Sequence, residues 1–590
     1  MNNNDYTKAA WFPNPATPGP AIIIDEEKCI GCKRCVNACR TDVFMPSQGD
    51  RKSPCMIECP AGIEIKKQLL LIAKGKYAEA LALIKESTPL PLSLSRVCPR
   101  FCEKKCGRDT IDGSVGINMT KRFVADLDLK NGGPTTPDAK PSTGHKVAVI
   151  GGGPSGLSAA YYLGLEGHAV TIFEADEKLG GLLQYGVPEF RMPKKILDAE
   201  VSSITKLCAE VKTGMKLGTD FTIDDLKKQG YEAIVLAVGA QGIMKLNVPG
   251  EDLDGVISGI DFMKRVNGGH FPEIGEKVVI IGGGMVAVDS SQTAIRLGAK
   301  EVTIVCLESR DTMPAYEEDV HVAEEEGVKL INGWGIKNIE LSSNSKIVNL
   351  KSCVSVFDEN NRFNPSFDEN TTLALEADTV IAAIGQYPDL SIFGEDYSQG
   401  SKRAVKVDDN FETSASGVYA CGDVVNRPSS VVKASATGRK AAYSINSFLR
   451  GNAIDSVEKS LEEESEFNII ERNELADVDD VERTVMPSLS AEARKNTFNE
   501  IALGLDEADV RKEASRCFTC GQDPVVTYPD ECWFCGCCVE VCPVEGAIEL
   551  VHPLNQAATW RRKSDDRLYR IGMKNPPPRA ITQPPSGLEK

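Results

Sequence analysis

The sequence predicts a multidomain α/β protein with two Rossmann-like domains, the first of them split by insertion of the second. A helical domain precedes them, and a small α+β segment stands at each end. Three observations predict this fold class. Two apolar runs lead directly into glycine loops, at Gly151 and at Gly282. Fifteen of the twenty cysteines stand at short regular spacings on either side of these loops. The 590 residues suffice for three or more domains, each with its own core.

Composition narrows the class of protein. A net charge of −18 argues against nucleic acid and against an anionic membrane surface as partners. The first residues show neither a basic nor an apolar region of a signal peptide, and no apolar run approaches the roughly eighteen residues of a membrane span. We therefore expect a cytoplasmic location, where cysteines stay reduced and bind metal rather than form disulfides.

The two ends of the chain carry the same cysteine spacing, C-x2-C-x2-C-x3-C, which is typical of ferredoxins. In such runs three thiolates hold corners of one [4Fe–4S] cluster, and the fourth usually reaches a second cluster. The two ends are then expected to meet in one two-cluster module, in which Cys542 completes the first cluster and Cys39 the second. The alternative is that each run holds its own local cluster. The runs are Cys29, Cys32, Cys35 and Cys39, and Cys532, Cys535, Cys538 and Cys542.

Seven of the cysteines between these runs also stand at short spacings. Residues 51–135 show apolar positions at helical spacing through Ile65 to Ile84, and we expect a helical domain there. The spacings of these cysteines are also those of iron–sulfur ligands, which indicates additional cluster sites. These cysteines are Cys55, Cys59, Cys98, Cys102 and Cys106 in the helical segment, and Cys517 and Cys520 near the C-terminus.

The first glycine loop follows a predicted buried strand, Lys146–Ile150, and has the form G-x-G-x-x-G. Its glycines allow a tight turn and close approach of the backbone to a pyrophosphate, which meets the positive end of the next helix. Glu174 ends the following strand, where a carboxylate would bind ribose hydroxyls. The sequence therefore predicts a dinucleotide site formed by Gly151, Gly153, Gly156 and Glu174.

The second glycine loop follows the predicted strand Lys277–Ile281. Its three positions are Gly282, Gly284 and Ala287, and Glu308 follows the partner strand. An acid at this place favours the free 2′-hydroxyl of NADH and repels the 2′-phosphate of NADPH. Arg310 stands nearby and could weaken this preference. We therefore predict a nicotinamide nucleotide site with NADH preferred over NADPH.

A third segment, Gly417–Asp423, reads as a strand followed by a Gly-Asp turn. In flavoproteins of this architecture such an aspartate binds the ribityl and phosphate region of FAD. The alternative is an ordinary turn aspartate, but a strand-like segment at 377–385 stands upstream at the distance expected for the return to the first domain. Gly422 and Asp423 are therefore predicted to complete the site of the first loop.

These segments together resemble a known family. Residues 51–450 are similar to the small (beta) subunit of glutamate synthase, to the large subunit of NADH-dependent ferredoxin:NADP oxidoreductase and to the N-terminal part of dihydropyrimidine dehydrogenase. The strings that carry the resemblance are Gly180–Lys194, Met313–Ala315 and Gly422–Asp423. The resemblance implies FAD in the split domain, with Gly181 and Arg191 among its binding residues. It also implies a pyridine nucleotide in the inserted domain and [4Fe–4S] clusters in the helical segment.

Departures from that family refine the predictions. NADPH-using relatives carry paired arginines where this chain has Leu307-Glu308, which again favours NADH. The C-x2-C pair that relatives have before Cys55 is absent, and a matching pair stands near the C-terminus. The resemblance thus implies one cluster on Cys55, Cys106, Cys517 and Cys520, and a second on Cys59, Cys98 and Cys102. The fourth ligand of the second, a Gln or Glu in relatives, falls near Lys121, whose ammonium cannot bind iron.

The predicted domain order follows from these segments. It comprises an N-terminal ferredoxin-like half (1–50), a helical iron–sulfur domain (51–135), the first part of the FAD domain (146–265), the NAD(H) domain (270–385), the second part of the FAD domain (386–452), an acidic connector (453–515), a C-terminal ferredoxin-like half (516–552) and a basic, proline-rich tail (553–590).

These features predict an FAD- and iron–sulfur-dependent NAD(P)H:acceptor oxidoreductase. The expected role is an electron-input subunit, suited to anaerobic metabolism, that oxidises NADH at FAD and passes single electrons through up to four [4Fe–4S] clusters. The electrons would go to a partner oxidoreductase subunit or a ferredoxin, and a hetero-oligomer is expected. The alternatives are an electron-bifurcating NAD(P)H:ferredoxin oxidoreductase component and a self-contained reductase of a small organic substrate.

Overall fold

The structure is a computed structural model. It describes residues 21–24, 28–29, 34–38, 44–46, 52–343, 345–393, 404–426, 428–452, 481–520, 524–526, 538, 541–542, 548–551, 559–562 and 568–571. The predicted ligands Cys32, Cys39, Cys532 and Cys535 lie outside these residues.

The first Rossmann-like sheet is parallel and has five strands. Lys146–Ile150 lies at its centre, between Ala169–Phe173 and Ala233–Leu236. The outer strands are Glu210–Lys212 and Val418–Ala420, and the latter comes from a distant part of the chain. The predicted split of this domain is therefore confirmed. Its helices are Pro154–Leu165, Leu182–Tyr185, Lys194–Thr205, Ile223–Lys228, Asp423–Asn426 and Val431–Leu449.

The second Rossmann-like sheet, inserted between the two parts of the first, is also parallel. Its strand order is Lys329–Asn332, Glu301–Cys306, Lys277–Ile281, Thr379–Ala382 and Val256–Ser258. Helices Gly259–Asn267, Met285–Arg296 and Glu317–Glu325 belong to it. An antiparallel sheet of Trp334–Leu341, Lys346–Phe357 and Phe363–Ala377 is appended. A short pair, Gly242–Ile243 with Gln386–Tyr387, joins the segments that enter and leave the insertion.

The segment before the first sheet is helical, as predicted. Apolar residues on successive turns, such as Ile65, Leu69 and Ile72, are buried and share one core with Leu157 and Ala160 of the first Rossmann-like domain. Because this core is continuous, the helical segment is held firmly against that domain. Its helices are Pro54–Ile57, Ile65–Ala73, Tyr77–Ser87, Pro91–Val97, Asp109–Asp112 and Ile117–Lys130.

Residues 481–515 differ from the predicted acidic connector, because they pack onto the helical segment. They include helices Ala491–Lys495 and Glu507–Ser515. Val510 and Ala514 enter the same core as the helical segment. The buried carboxylate of Glu513 accepts hydrogen bonds from the backbone N–H groups of Gly116 and Thr484. Glu513 thus satisfies buried donors rather than facing solvent, which composition alone does not indicate.

The two ends of the chain share strands. Ala21–Ile24 pairs antiparallel with Ile548–Val551, and Phe44–Pro46 pairs with Pro524–Val526. The ends therefore meet in one α+β module, as expected from the paired cysteine runs. Part of the predicted tail also belongs to this module, because Thr559–Arg562 and Leu568–Ile571 extend its sheet. In the part of the chain that the structure describes, no helix is both long and apolar enough to cross a membrane.

Candidate functional site

The first glycine loop forms an open cradle at the start of a helix. Gly151 has a φ of +107°, and a Cβ there would overlap the Ala237 carbonyl. At Gly156 a Cβ would overlap the Gly151 oxygen. Above Gly153, by contrast, the nearest atom to a Cβ would be the Cα of Gly181 at 3.9 Å. Because no side chain caps helix Pro154–Leu165, its N–H groups face this space and suit a pyrophosphate.

Glu174 is fixed beside this cradle. Its Oε2 accepts a hydrogen bond from the N–H of Gly152 at 2.6 Å, and its Oε1 accepts one from the N–H of Asp176 at 2.8 Å. Burial raises the pKa of this carboxyl, while the two backbone donors lower it. The carboxylate therefore lies at the edge of the loop, in the position expected for ribose recognition.

The Gly422–Asp423 turn closes the other side of the cradle. A Cβ at Gly422 would overlap the Oγ of Ser155, so this turn lies against the first turn of helix Pro154–Leu165. The Asp423 carboxylate accepts hydrogen bonds from the N–H and Oγ of Ser429, at 3.2 and 3.1 Å. Burial raises the pKa of Asp423. Segments almost 270 residues apart thus meet at one site, which the close approach of Gly422 permits.

Gly181 and Arg191, which the family resemblance names as FAD-binding residues, lie in different places in the structure. Gly181, with a φ of +52°, borders the cradle at Gly153. The Arg191 guanidinium instead binds two carboxylates of the inserted domain, Asp289 at 2.8 Å and Asp319 at 2.5 Å. Burial raises the pKa of Asp289 to about 6, against the lowering effect of Arg191. Arg191 therefore joins the two Rossmann-like domains, and its contact with FAD stays a prediction.

The second glycine loop repeats the geometry of the first. A Cβ at Gly282, whose φ is +134°, would overlap the Ala383 carbonyl, and the space around Gly284 is open to 4 Å. Ala287 is fully buried where the first loop has Gly156. A Cβ added at Gly283 would lie 3.0 Å from Oε2 of Glu308. A Cβ added at Gly152 would lie at the same distance from Oε2 of Glu174. This equivalence makes Glu308 the counterpart of Glu174.

Arg310, the cation that could weaken discrimination by Glu308, is engaged elsewhere. Its guanidinium forms a bidentate pair with Glu317, at 2.6 and 2.8 Å, and a further bond to Glu324 at 3.1 Å. Its side chain is thereby fixed to the helix Glu317–Glu325. A 2′-phosphate beside Glu308 would have to compete with two carboxylates for this guanidinium.

The cysteines of the helical segment form two neighbouring groups. Charges on Cys517 and Cys106 raise the pKa of Cys55, which burial has already raised, to about 12. These three thiols therefore influence one another although they come from distant positions, and their sharing of one cluster stays a prediction. Two of them accept backbone hydrogen bonds, Cys106 from Val115 at 3.4 Å and Cys517 from Thr519 at 3.3 Å. Such bonds stabilise cluster thiolates.

The second group comprises Cys59, Cys98 and Cys102. Burial raises the pKa of Cys59 and of Cys102, and each is influenced by the charge of Cys98. The positive charge of Lys121 lowers the pKa of both thiols, so Lys121 lies near this group. Cys59 also acts on Cys55, which places the two groups next to each other.

Partly buried thiols that accept backbone hydrogen bonds suit iron–sulfur clusters. Among the described residues, no three His, Cys, Asp or Glu side chains converge closely enough to hold one metal ion. In a [4Fe–4S] cube each thiolate binds a different iron, so the sulfurs stand farther apart than ligands of one ion.

In the terminal module Cys35, Cys538 and Cys542 are buried, and Cys29 is partly buried. The strand pairing brings the two runs into one module, but four of the eight ligands lie outside the described residues. Which thiolate completes which cluster therefore stays a prediction.

Sequence reasoning missed one residue between the cysteine groups, Phe518. Its ring lies under two guanidinium groups, that of Arg34 at 5.1 Å and that of Arg108 at 4.9 Å from the ring centroid. Arg34 precedes Cys35 of the terminal module, and Phe518 follows Cys517. Its place directly after a ligand cysteine is the signal that could have drawn attention to it.

Comparison with known proteins agrees with this architecture. Residues 145–438 match the family of pyridine nucleotide-disulphide oxidoreductases, residues 50–133 match the 4Fe-4S domain II of dihydropyrimidine dehydrogenase, and residues 22–45 match a 4Fe-4S binding domain. FAD, a pyridine nucleotide and [4Fe–4S] clusters are the cofactors of such domains.

Three relatives illustrate the similarity over the length of the chain. The beta subunit of NADP+-dependent formate dehydrogenase from Moorella thermoacetica is 35% identical over 500 residues, covering 79% of this chain and 70% of that protein. The PreT subunit of NAD-dependent dihydropyrimidine dehydrogenase from Escherichia coli is 32% identical, covering 68% and 92%. The small chain of NADPH glutamate synthase from Escherichia coli is 32% identical, covering 67% and 88%. The chain belongs to the glutamate synthase small-chain family of FAD- and iron–sulfur-dependent, electron-transferring NAD(P)H oxidoreductases.

Proposed function

We propose that the chain is an electron-input subunit, which oxidises NADH and passes single electrons to a partner oxidoreductase or a ferredoxin. Bound FAD would link NADH oxidation to single-electron transfer, because it accepts two electrons as a hydride and releases them one at a time. The single observation that carries the choice of NADH is the position of Glu308 at the second glycine loop. The residues proposed to hold FAD are Gly151, Gly153, Gly156, Glu174, Gly181, Gly422 and Asp423.

The preference for NADH rests on charge. A carboxylate at the place of Glu308 accepts hydrogen bonds from both ribose hydroxyls of NADH, whereas the 2′-phosphate of NADPH would meet a like charge. Arg310 is held by Glu317 and Glu324 and does not neutralise Glu308. The names of the relatives include both NAD- and NADP-dependent proteins, so the family alone does not decide the nucleotide.

The export of electrons is supported by the order in which the cysteine groups follow each other. The group of Cys59 lies against the first Rossmann-like domain, where Arg439 donates a hydrogen bond to the carbonyl of Ala61 at 3.1 Å. The group of Cys55 adjoins it. Phe518, which follows Cys517, then links the group of Cys55 to the terminal module. We propose that electrons leave the flavin domain through up to four clusters in this order.

A hetero-oligomer is the proposed assembly. Two of the relatives are named as subunits, of formate dehydrogenase and of dihydropyrimidine dehydrogenase, and the glutamate synthase relative is a small chain. The terminal module lies at the far end of the proposed cluster series from the flavin domain, and we propose that it faces the partner.

The test is a substitution at Glu308 with kcat/KM measured for NADH and for NADPH, using an artificial electron acceptor. Glu308→Gln removes hydrogen bonds to a charged acceptor, worth about 1.5–3 kcal/mol. The NADH value is expected to fall roughly 10- to 150-fold, and the NADPH value to stay or to rise. The matched control is Glu301→Gln, an exposed acid at the start of the strand Glu301–Cys306 that precedes Glu308. An unchanged ratio between the two nucleotides would show that Glu308 does not read the ribose.

A further inference from the structure

The strand register of the two Rossmann-like sheets shows where an acid that follows the strand should stand. In the first sheet the N–H of Gly151 donates to the carbonyl of Phe173 at 2.7 Å, and Glu174 is the next residue. In the second sheet the equivalent N–H, that of Gly282, donates at 2.8 Å to the carbonyl of the residue before Cys306. The backbone position of Glu174 is therefore occupied by Cys306 in the second sheet, and the acid comes two residues later.

Glu308 nevertheless reaches the glycine loop. A Cβ added at Gly283 would lie 3.0 Å from Oε2 of Glu308 and 3.1 Å from the Cβ of Cys306. Both side chains thus approach the same point of the loop, and the chain bends between them to allow this. The strand Glu301–Cys306 ends before the bend, so contacts other than its strand pairing hold Glu308 in place.

Asn332 supplies those contacts. It ends the neighbouring strand Lys329–Asn332 and pairs with Cys306 in the parallel register. Its Nδ2 donates to the carbonyl of Glu308 at 3.1 Å and to Sγ of Cys306 at 3.2 Å. The N–H of Gly333 donates to the same carbonyl at 3.2 Å. The two hydrogens of one amide group thus join the two ends of the bend.

We propose that Asn332 is a positioning residue for nucleotide specificity, which holds Glu308 at the ribose and thereby sets the preference for NADH over NADPH. This inference rests on the proposed function, in which Glu308 reads the ribose. Discrimination by a carboxylate depends on its distance from the ribose, because hydrogen bonds need about 3 Å and charge repulsion falls with distance. Without the Asn332 amide the carbonyl of Glu308 keeps the bond from Gly333, so the bend is loosened rather than lost.

The experiment measures the affinity of the oxidised, flavin-loaded full chain for NAD+ and for NADP+ by isothermal titration calorimetry. Asn332→Ala and Asn332→Leu both remove the donors, and leucine also fills the space of the amide. In either variant NAD+ is expected to bind roughly 3- to 10-fold more weakly, with NADP+ unchanged or tighter. Asn338→Ala is the control, because the amide of Asn338 donates to Glu340 of its own strand. The flavin content of each variant shows whether it has folded, and either variant at position 332 suffices.

A double-mutant cycle separates positioning of Glu308 from a merely structural role. Asn332→Ala is repeated in the Glu308→Ala protein, where we expect it to leave the ratio of the two affinities unchanged, because the carboxylate that it positions is gone. The inference is overturned if Asn332→Ala leaves this ratio unchanged in the unaltered protein. It is also overturned if the substitution changes the ratio equally in both proteins.

The choice of NADH in the proposed function has its own outcome in the same cycle. Glu308→Ala alone is expected to narrow the difference in affinity between NAD+ and NADP+. If it does not, Glu308 does not read the ribose, and the choice of NADH fails together with this inference. If Glu308→Ala narrows the difference and Asn332→Ala has no effect, only the role of Asn332 is refuted.

Discussion

Glu200 offers the sharpest test of how the helical segment is held against the flavin domain. It lies on helix Lys194–Thr205, and its residue is 1% exposed. Its carboxylate accepts hydrogen bonds from the N–H groups of Leu92 at 2.6 Å and Ser93 at 3.0 Å, and from the Ser93 hydroxyl. These donors lie in the first turn of helix Pro91–Val97, which directly precedes Cys98, so Glu200 fixes the start of this helix. Burial raises the pKa of Glu200 to about 7.

The magnitude of its pH dependence follows from that pKa. A rise from 4.5 to about 7 corresponds to roughly 3 kcal/mol. Because the folded protein binds the proton more tightly than the unfolded chain, the free energy of unfolding falls as pH rises from about 4.5 to about 7 and is level above that. Glu200→Gln cannot titrate. At low pH its amide leaves one backbone N–H without an acceptor, which costs about 1–3 kcal/mol.

The assay is anaerobic thermal unfolding between pH 5 and pH 8, followed by the fluorescence of released flavin. Glu200→Gln is expected to be less stable than the unaltered protein at pH 5, and the difference should shrink by about 2–3 kcal/mol towards pH 8. Asp198→Asn is the control, since Asp198 is exposed on the same helix. A difference between Glu200→Gln and the unaltered protein that does not change with pH would refute the reasoning.

Three further changes test other contacts. Arg191→Met leaves Asp289 and Asp319 facing each other without their cation. We expect the free energy of unfolding to fall by about 3 kcal/mol and kcat with NADH to fall at normal FAD content. An unchanged kcat would contradict the role of Arg191 in joining the two domains. Phe518→Leu should leave the rate of flavin reduction by NADH unchanged in stopped-flow absorbance but slow the reduction of the terminal clusters. If the terminal clusters are reduced at the same rate in the variant and the unaltered protein, Phe518 does not lie on the electron-transfer path. Gly156→Ala should abolish FAD binding, because the added methyl group overlaps the preceding turn; retention of stoichiometric flavin would contradict this.

Local signals in the sequence were sufficient to predict the two nucleotide-binding loops. Strand, glycine turn, helix and acid follow each other within about thirty residues, so each unit is specified by neighbours along the chain. The two loops have the same geometry in the structure, including the positions of Glu174 and Glu308. The cysteine spacings likewise predicted that the chain ends meet, since a shared cluster pair requires it.

The contacts that bring distant segments together could not be predicted in this way. Arg516 binds Asp112, 404 positions away, and Glu513 caps buried donors of the helical segment. Glu513 fell in the predicted acidic connector and Arg516 at the start of the predicted C-terminal ferredoxin-like half. Neither position indicates burial, because an exposed charge and a buried, paired charge have the same composition. Arg191 is a similar case, since only the tertiary structure shows that its partners are Asp289 and Asp319.

The most direct test of the central claim is an anaerobic titration of the cluster-loaded protein with NADH and, separately, with NADPH. Visible absorbance follows the flavin, and low-temperature EPR follows the clusters. The account predicts bleaching of the flavin and appearance of reduced cluster signals with NADH, and little of either with NADPH. Equal or faster reduction by NADPH would contradict the role of Glu308, and a failure of both nucleotides to reduce the flavin would contradict the proposed function itself.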